Sequence, residues 1–203
     1  MQKIVYFCGT HGSGKSTLVK MLASDTNHFV ERGEINLPRQ ANVSERNFAR
    51  LCRMYLYALQ EREFAKEFPE KYVLGDRRVL DHLAYTAGFA KLGWCSESVK
   101  TSLHAVAEIL FVPDHWPQNV VFVRPSLDFT ISCLQKRWAE TGKKKWNEDN
   151  FDYLRAVYCG YDEVMQHFSG NVQLIQETDL NERVKKVYAW LGISTSSQTT
   201  HKQ

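Results

Sequence analysis

The feature that most constrains the fold is a glycine-rich segment at residues 9–16 with the spacing G-x-x-x-x-G-K-S. A glycine-rich turn lets successive backbone N–H groups point at the oxygens of a bound triphosphate, because glycine permits positive φ angles and close approach. In this pattern the lysine reaches the β- and γ-phosphates, and the serine hydroxyl ligates Mg²⁺. We therefore predict a nucleotide-binding loop formed by Gly9, Thr10, His11, Gly12, Ser13, Gly14, Lys15, Ser16 and Thr17.

The segments on either side of the loop fit this prediction. Residues 3–8 are a short apolar run rich in β-formers, which is typical of a buried parallel strand. Leu18, Val19, Met21 and Leu22 recur at helical spacing and predict an amphipathic helix. The N-terminus of that helix adds partial positive charge, which favours an anion. We interpret His11 as a spacer within the loop.

The rest of the chain alternates predicted strands with predicted helices. We expect strands at 28–31, 72–76, 119–123 and 172–175, and helices that include 44–68, 79–92, 96–111 and 180–191. The alternation predicts an α/β fold with a parallel sheet covered on both faces. We assign residues 1–192 to one domain and expect 193–203 to be a disordered tail. The buried stripe of helix 44–68 is predicted to contain Phe48, Leu51, Cys52, Tyr55, Leu56 and Leu59.

Composition limits the class of protein. The 203 residues are 43% hydrophobic and 24% charged, as in an ordinary globular domain. No run approaches the ~18 apolar residues of a membrane span and no signal peptide precedes the first strand, so we expect a cytoplasmic protein without membrane contact. A net charge of +3 does not demand a nucleic-acid partner. The five cysteines form no C-x-x-C pair and are expected to be reduced and mostly buried.

Acidic residues follow two predicted strands, and the carboxyl ends of parallel strands meet at one edge of a sheet. Asp76 could ligate a metal or water or grip a substrate hydroxyl; the alternative is a carboxylate that caps the next helix. Glu31 could accept the proton of an attacking hydroxyl, and Glu34 is the alternative base. Both Asp76 and Glu31 are therefore candidate catalytic residues.

Basic residues provide candidates for binding anions. Arg77 and Arg39 could hold an acceptor anion, although Arg39 could equally be a surface arginine. Arg137 and the lysines at 143–145 lie in a segment, about 137–149, that we predict to be a lid whose cations stabilise phosphoryl transfer. A solvated basic loop is the alternative for the lysine run.

The loop at 9–17, the Asp76-Arg77 pair and the order of elements resemble the P-loop nucleoside and nucleotide kinases, particularly thymidylate and deoxynucleoside kinases. Residues 120–126 followed by Arg137 resemble the strand, turn and arginine-bearing lid helix of that family. Two motifs of the family are absent, however: a clean Glu-Arg-Ser of deoxynucleoside kinases and the Arg-Glu-Pro that follows the second strand of thymidylate kinases. The acceptor therefore stays open.

The resemblance implies a three-layer fold with a five-stranded parallel sheet and a helical lid. It also implies ATP and Mg²⁺, with Lys15 at the donor phosphates and Ser16 and Asp76 as metal ligands. Glu31 takes roughly the position of the base in deoxynucleoside kinases.

We therefore expect a kinase that transfers the γ-phosphoryl group of ATP to a small acceptor, a nucleoside or nucleoside monophosphate. The alternatives are a polynucleotide 5′-kinase and a regulatory ATPase without an acceptor. Nucleic acid is the less favoured partner, and a homodimer is left open. The sequence lacks the guanine-reading pattern N-K-x-D, which favours ATP over GTP.

Overall fold

The five predicted strands form one parallel sheet in the computed structural model, which describes residues 3–31, 43–76, 78–111 and 117–194. The order across the sheet is β2-β3-β1-β4-β5. The strands are β1 (Ile4–Cys8), β2 (Phe29–Glu31), β3 (Tyr72–Asp76), β4 (Asn119–Val123) and β5 (Asn171–Ile175). The predicted five-stranded parallel sheet is thus confirmed.

Seven helices flank the sheet within the described part of the chain. Four of them begin at a side chain that accepts a hydrogen bond from the backbone N–H three residues on: Ser96, Ser126, Asn150 and Asp179. The helices are α1 (Lys15–Ala23), α2 (Val43–Glu67), α3 (Val79–Lys91), α4 (Glu97–Leu110), α5 (Leu127–Thr141), α6 (Phe151–His167) and α7 (Leu180–Trp190).

The central strand β1 sets the position of the site. All five of its residues are buried, as expected for a strand with helices on both faces. It pairs in parallel with β3 and β4, and in this register Phe7 lies opposite both Asp76 and Val121. The loop that follows Cys8 therefore leaves the sheet beside the end of β3.

Apolar side chains fill the space on each side of the sheet. One cluster joins α1, α7 and the sheet through Leu18, Leu22 and Val187. The other joins α2, α3, α4 and α6 to the opposite face through residues that include Leu51 and Leu83. These two clusters make the three-layer arrangement that the alternating elements predicted.

The predicted buried stripe of α2 is partly wrong. Leu51 is buried, but Phe48 and Leu56 each expose 54% of their surface. The buried face instead includes Tyr57 and the carboxylate of Glu61. Hydrophobic periodicity misses this face because a charged residue, paired inside the protein, occupies one of its positions.

Three further expectations can be compared with the structure. The five cysteines are free, but of these only Cys8 is buried, so the expectation that most are buried is wrong. No described helix is long and apolar enough to cross a membrane. The predicted tail at 193–203 lies outside the described residues from residue 195 onward.

Two glycines allow α3 and α6 to cross with their backbones in contact. A Cβ atom at Gly160 would overlap the carbonyl oxygen of Ala84. A Cβ atom at Gly88 would lie 2.8 Å from the Cα atom of Val157. Because backbone atoms cannot move aside as a flexible side chain can, any larger residue would force the two helices apart.

We expect Gly160→Ala to lower the free energy of unfolding by about 1–3 kcal/mol, through overpacking at this crossing. Urea denaturation measures the change. Gln166→Ala, at an exposed position of the same helix, is the matched control and should change stability by less than about 0.5 kcal/mol. Equal midpoints for the two variants would contradict the importance of the crossing.

Candidate functional site

The glycine-rich loop has the backbone geometry that an anion site needs. Gly12 and Gly14 have φ angles of 77° and 85°, in the left-handed region that glycine adopts without strain. Gly14 is the N-cap of α1 and provides no side-chain cap, so the first amides of this helix stay available to a ligand. A Cβ atom at Gly12 would lie 2.7 Å from Cγ of Leu134 on α5.

Arg183 of α7 supports this loop from inside the protein. Its Nη1 donates to the backbone oxygen of Ser13 at 2.7 Å, and its Nε donates to the backbone oxygen of Glu177 at 2.6 Å. Burial lowers the pKa of Arg183. Sequence reasoning missed this residue, because 170 positions separate it from Ser13.

Three of the predicted site residues lie together at the start of α1. Lys15 is buried, and its Nζ lies 3.4 Å from Oδ1 of Asp76. The Ser16 hydroxyl donates to Oδ2 of Asp76 at 2.9 Å. The pairing of β1 with β3 makes this contact, because it brings the end of β3 beside the loop.

The serine hydroxyl and the aspartate carboxylate are the hard oxygen ligands that Mg²⁺ prefers. No group of three or more His, Cys, Asp and Glu side chains in the described ranges could hold a metal ion. Ser16 and Asp76 therefore fit a Mg²⁺ ion that takes its remaining ligands from phosphate oxygens and water, as Mg²⁺ does in nucleotide sites.

Glu148 connects the predicted lid segment to the glycine-rich loop. Its fully buried carboxylate accepts hydrogen bonds from Arg137 and, at 2.8 Å, from the backbone N–H of Lys145. Its other oxygen lies 3.2 Å from Nδ1 of His11. His11 also contacts Tyr85 edge-on, so it joins the loop to Glu148 and to α3. Sequence reasoning missed Glu148 because it belongs to no recognisable pattern.

Two cavities meet at the loop. One, of about 310 Å³, lies over residues 10–17 and is also lined by Arg137 and Glu148. We call it the donor cavity. The second, of about 350 Å³, lies between α2, α3 and α6, and we call it the acceptor cavity. His11 and Lys145 line both, and Asp76 lines the second.

A buried ion pair forms part of the acceptor cavity. The Nε of Arg78 donates to Glu61 at 2.6 Å, another guanidinium nitrogen donates to the backbone oxygen of Asp76, and the guanidinium group lies 4.6 Å from the ring of Tyr57. Although burial opposes its charge, Glu61 raises the pKa of Arg78. Asp81 accepts from the backbone N–H of Arg78 at 3.1 Å, as a capping carboxylate does.

The remaining predicted residues lie elsewhere. Glu31 ends β2, is exposed, and does not belong to the described lining of either cavity. Glu34, Arg39 and Arg77 lie outside the described residues. Arg137 lines the donor cavity.

Comparison with known proteins gives a likeness in structure but not in sequence. No protein-family model and no curated protein matches this chain. The structure is similar to deoxyadenosine kinase from M. mycoides with bound dATP, with a TM-score of 0.68 and 18% identity over 94% of this chain and 99% of that chain. It is also similar to thymidylate kinase from Candida albicans, with a TM-score of 0.64 and 13% identity over 94% and 91%.

At these identities the likeness shows the fold. The chain has the fold of the P-loop nucleoside and nucleotide kinases, and the predicted fold class and resemblance are confirmed at that level.

His82 of α3 is a buried polar group in the wall of the acceptor cavity. It exposes only 7% of its surface, and its Nε2 has no hydrogen-bond partner among the described residues. Burial, with the nearby charges of Arg50 and His104, lowers the pKa of His82 to about 3. The ring is therefore neutral near pH 7.

We expect His82 to make the folded state less stable in acid. As the pH falls, His82 takes up a proton near pH 6.5 in the unfolded chain but only near pH 3 in the folded chain. The contribution of His82 to the free energy of unfolding is therefore complete above pH 6.5 and is lost progressively as the pH falls toward 3. Urea unfolding of wild type and His82→Gln between pH 7 and 4 measures it. The wild type should lose up to about 1.4 kcal/mol more per pH unit than the variant; parallel pH profiles would refute this.

Proposed function

We propose that this chain is an ATP-dependent kinase that transfers the γ-phosphoryl group to a small acceptor, a nucleoside or nucleoside monophosphate. The observation that carries the proposal is that the donor cavity, with its glycine-rich loop, meets the acceptor cavity at His11 and Lys145. The likeness in fold to deoxyadenosine kinase and thymidylate kinase supports it.

On the donor side, the loop at 9–17 would cradle the triphosphate through its backbone N–H groups. Lys15 would neutralise charge on the β- and γ-phosphates, and Ser16 and Asp76 would hold Mg²⁺. The ion, when bound, supplies Lewis-acid stabilisation of the phosphate charge. Because Asp76 also lines the acceptor cavity, we propose that its carboxylate orients the acceptor oxygen, with Glu31 or Glu34 as the alternative base.

The segment 137–149 would act as the lid. Arg137 lines the donor cavity, and Glu148 fixes its guanidinium group through a charged hydrogen bond. A cation held there stabilises the negative charge that spreads over the transferred phosphoryl group. Arg39 and Arg77 remain proposed contacts to the acceptor.

The test is transfer of label from γ-labelled ATP to a panel of nucleosides, nucleoside monophosphates and 5′-hydroxyl oligonucleotides. Label in a small acceptor supports the proposal. Label in oligonucleotides, with binding that weakens steeply with salt, would indicate a polynucleotide kinase instead. Label found only in free phosphate, whatever the acceptor, would indicate an ATPase.

We expect Lys15→Met to reduce kcat/KM for this transfer by at least about 10²-fold, because a buried cation that stabilises developing charge is removed. Initial-rate kinetics measure the loss, and calorimetry should show weaker ATP binding. Lys20→Met, at an exposed position of the same helix, is the control and should behave as wild type. Unchanged ATP binding and turnover in Lys15→Met would remove the basis of the proposal.

Arg137→Met should lower kcat by about 10²- to 10³-fold while ATP affinity changes little, because the proposed contact strengthens in the transition state. Single-turnover kinetics separate the two effects. The neighbouring Lys136, which is largely exposed, offers a matched control in Lys136→Met. A lower ATP affinity with unchanged kcat would show that Arg137 only binds the donor.

A further inference from the structure

We propose that the acceptor cavity is built for a nucleoside monophosphate rather than a nucleoside, with Arg53 of α2 binding its phosphate group. This inference rests on the proposed function and specifies its acceptor. Three observations support it. Residues of one α2 face line the cavity, one arginine among them lacks an ion-pair partner within the described part of the chain, and aromatic side chains form another part of the cavity wall.

Four residues on one face of α2 take part. Arg50, Arg53, Tyr57 and Glu61 are spaced three or four residues apart, so they follow one another along the helix. Glu61 and Tyr57 are both engaged by Arg78. Arg53, one turn before Tyr57, lines the cavity beyond that ion pair. The face therefore changes from the Arg78–Glu61 ion pair to an arginine that lines the cavity without such a pair among the described residues.

Arg53 lacks an acceptor for a buried donor. Its Nε is buried and makes no hydrogen bond with any described residue. No described carboxylate forms an ion pair with it. A buried guanidinium N–H without an acceptor is unfavourable unless a ligand provides one. The oxygens of a phosphomonoester match the planar, forked donors of arginine.

Each of the two carboxylates in the cavity wall already contacts another group, although Oδ1 of Asp76 makes no hydrogen bond with a described residue. Asp76 lies between Lys15 and Ser16. Asp81 accepts from the backbone of Arg78 and from the Tyr161 hydroxyl. These acids leave the charge of Arg53 uncompensated, and Lys145 adds a second cation where the two cavities meet. The cavity therefore favours an anionic ligand over a neutral one.

Aromatic side chains form another part of the wall and suit the planar part of the same ligand. Tyr85, Trp146 and Tyr153 line the cavity, and the Trp146 ring meets the Tyr153 ring edge-on at 5.5 Å between centroids. The unpartnered Nε2 of His82 offers one hydrogen bond to a base. The volume of about 350 Å³ falls within the range of small-ligand sites.

The experiment compares matched pairs of nucleoside and 5′-monophosphate for each base, with wild type, Arg53→Met and Lys66→Met. For each pair, we expect wild type to have a higher kcat/KM for the monophosphate than for the nucleoside. Arg53→Met should reduce the ratio of monophosphate to nucleoside kcat/KM by roughly 10²-fold, as expected for loss of one buried charged contact. Lys66→Met, an exposed cation of the same helix paired with Glu63, should leave the ratio unchanged.

Two results would overturn the inference: nucleosides that serve as well as their monophosphates, or an Arg53→Met variant that lowers both activities equally. Arg53→Lys keeps the positive charge but lacks the forked donors of the guanidinium group, so it should lower the ratio of monophosphate to nucleoside kcat/KM by a smaller factor. This graded effect would show that the loss in Arg53→Met does not result from misfolding.

Calorimetry with a non-hydrolysable ATP analogue and the monophosphate separates this inference from the proposed function. If wild type binds the monophosphate, Arg53→Met does not, and wild type transfers no phosphoryl group, the proposed phosphate site is supported and the proposed kinase activity is refuted. If wild type transfers the phosphoryl group to nucleosides but not to their monophosphates, the proposed kinase activity is supported and the proposed phosphate site is refuted.

Discussion

The parallel pairing of β1 with β3 is the constraint on which the rest of the site depends. It places the end of β3 beside the loop that leaves β1, and so brings Asp76 within 3.4 Å of the Lys15 ammonium group. Neither residue could reach the other from its own segment of the chain. A slip of one residue in this register would turn Asp76 toward the opposite face of the sheet. The pairing of the strands in the sheet therefore positions Lys15, Ser16 and Asp76 against one another.

The order of elements and the conformation of the glycine-rich loop could be predicted because their causes are local. Apolar runs define the strands, helical spacing of apolar residues defines the helices, and the glycine spacing defines the loop. The position of the strand-ending Asp76 beside the loop, where it contacts Ser16, needed only the rule that parallel strands end at one edge.

The residues that sequence reasoning missed act over long distances in the chain. Arg183 supports the loop from the last helix, and Glu61 occupies a core position because Arg78 neutralises it there. Glu148 joins His11 to Arg137 from a segment with no characteristic pattern. Each is a buried charge with a partner on another segment of the chain, and neither hydrophobic periodicity nor motif spacing detects such a pair.

The glycine crossing of α3 and α6 also limits how this protein can diversify. The two helices carry Tyr85 and Tyr153 on backbones that are already in contact at Gly88 and Gly160. That side of the acceptor cavity cannot widen without separating the helices. A lineage that adapts to bulkier or differently charged ligands would therefore have to change α2 or the segment around Trp146, which makes those two regions the natural places to look for divergence.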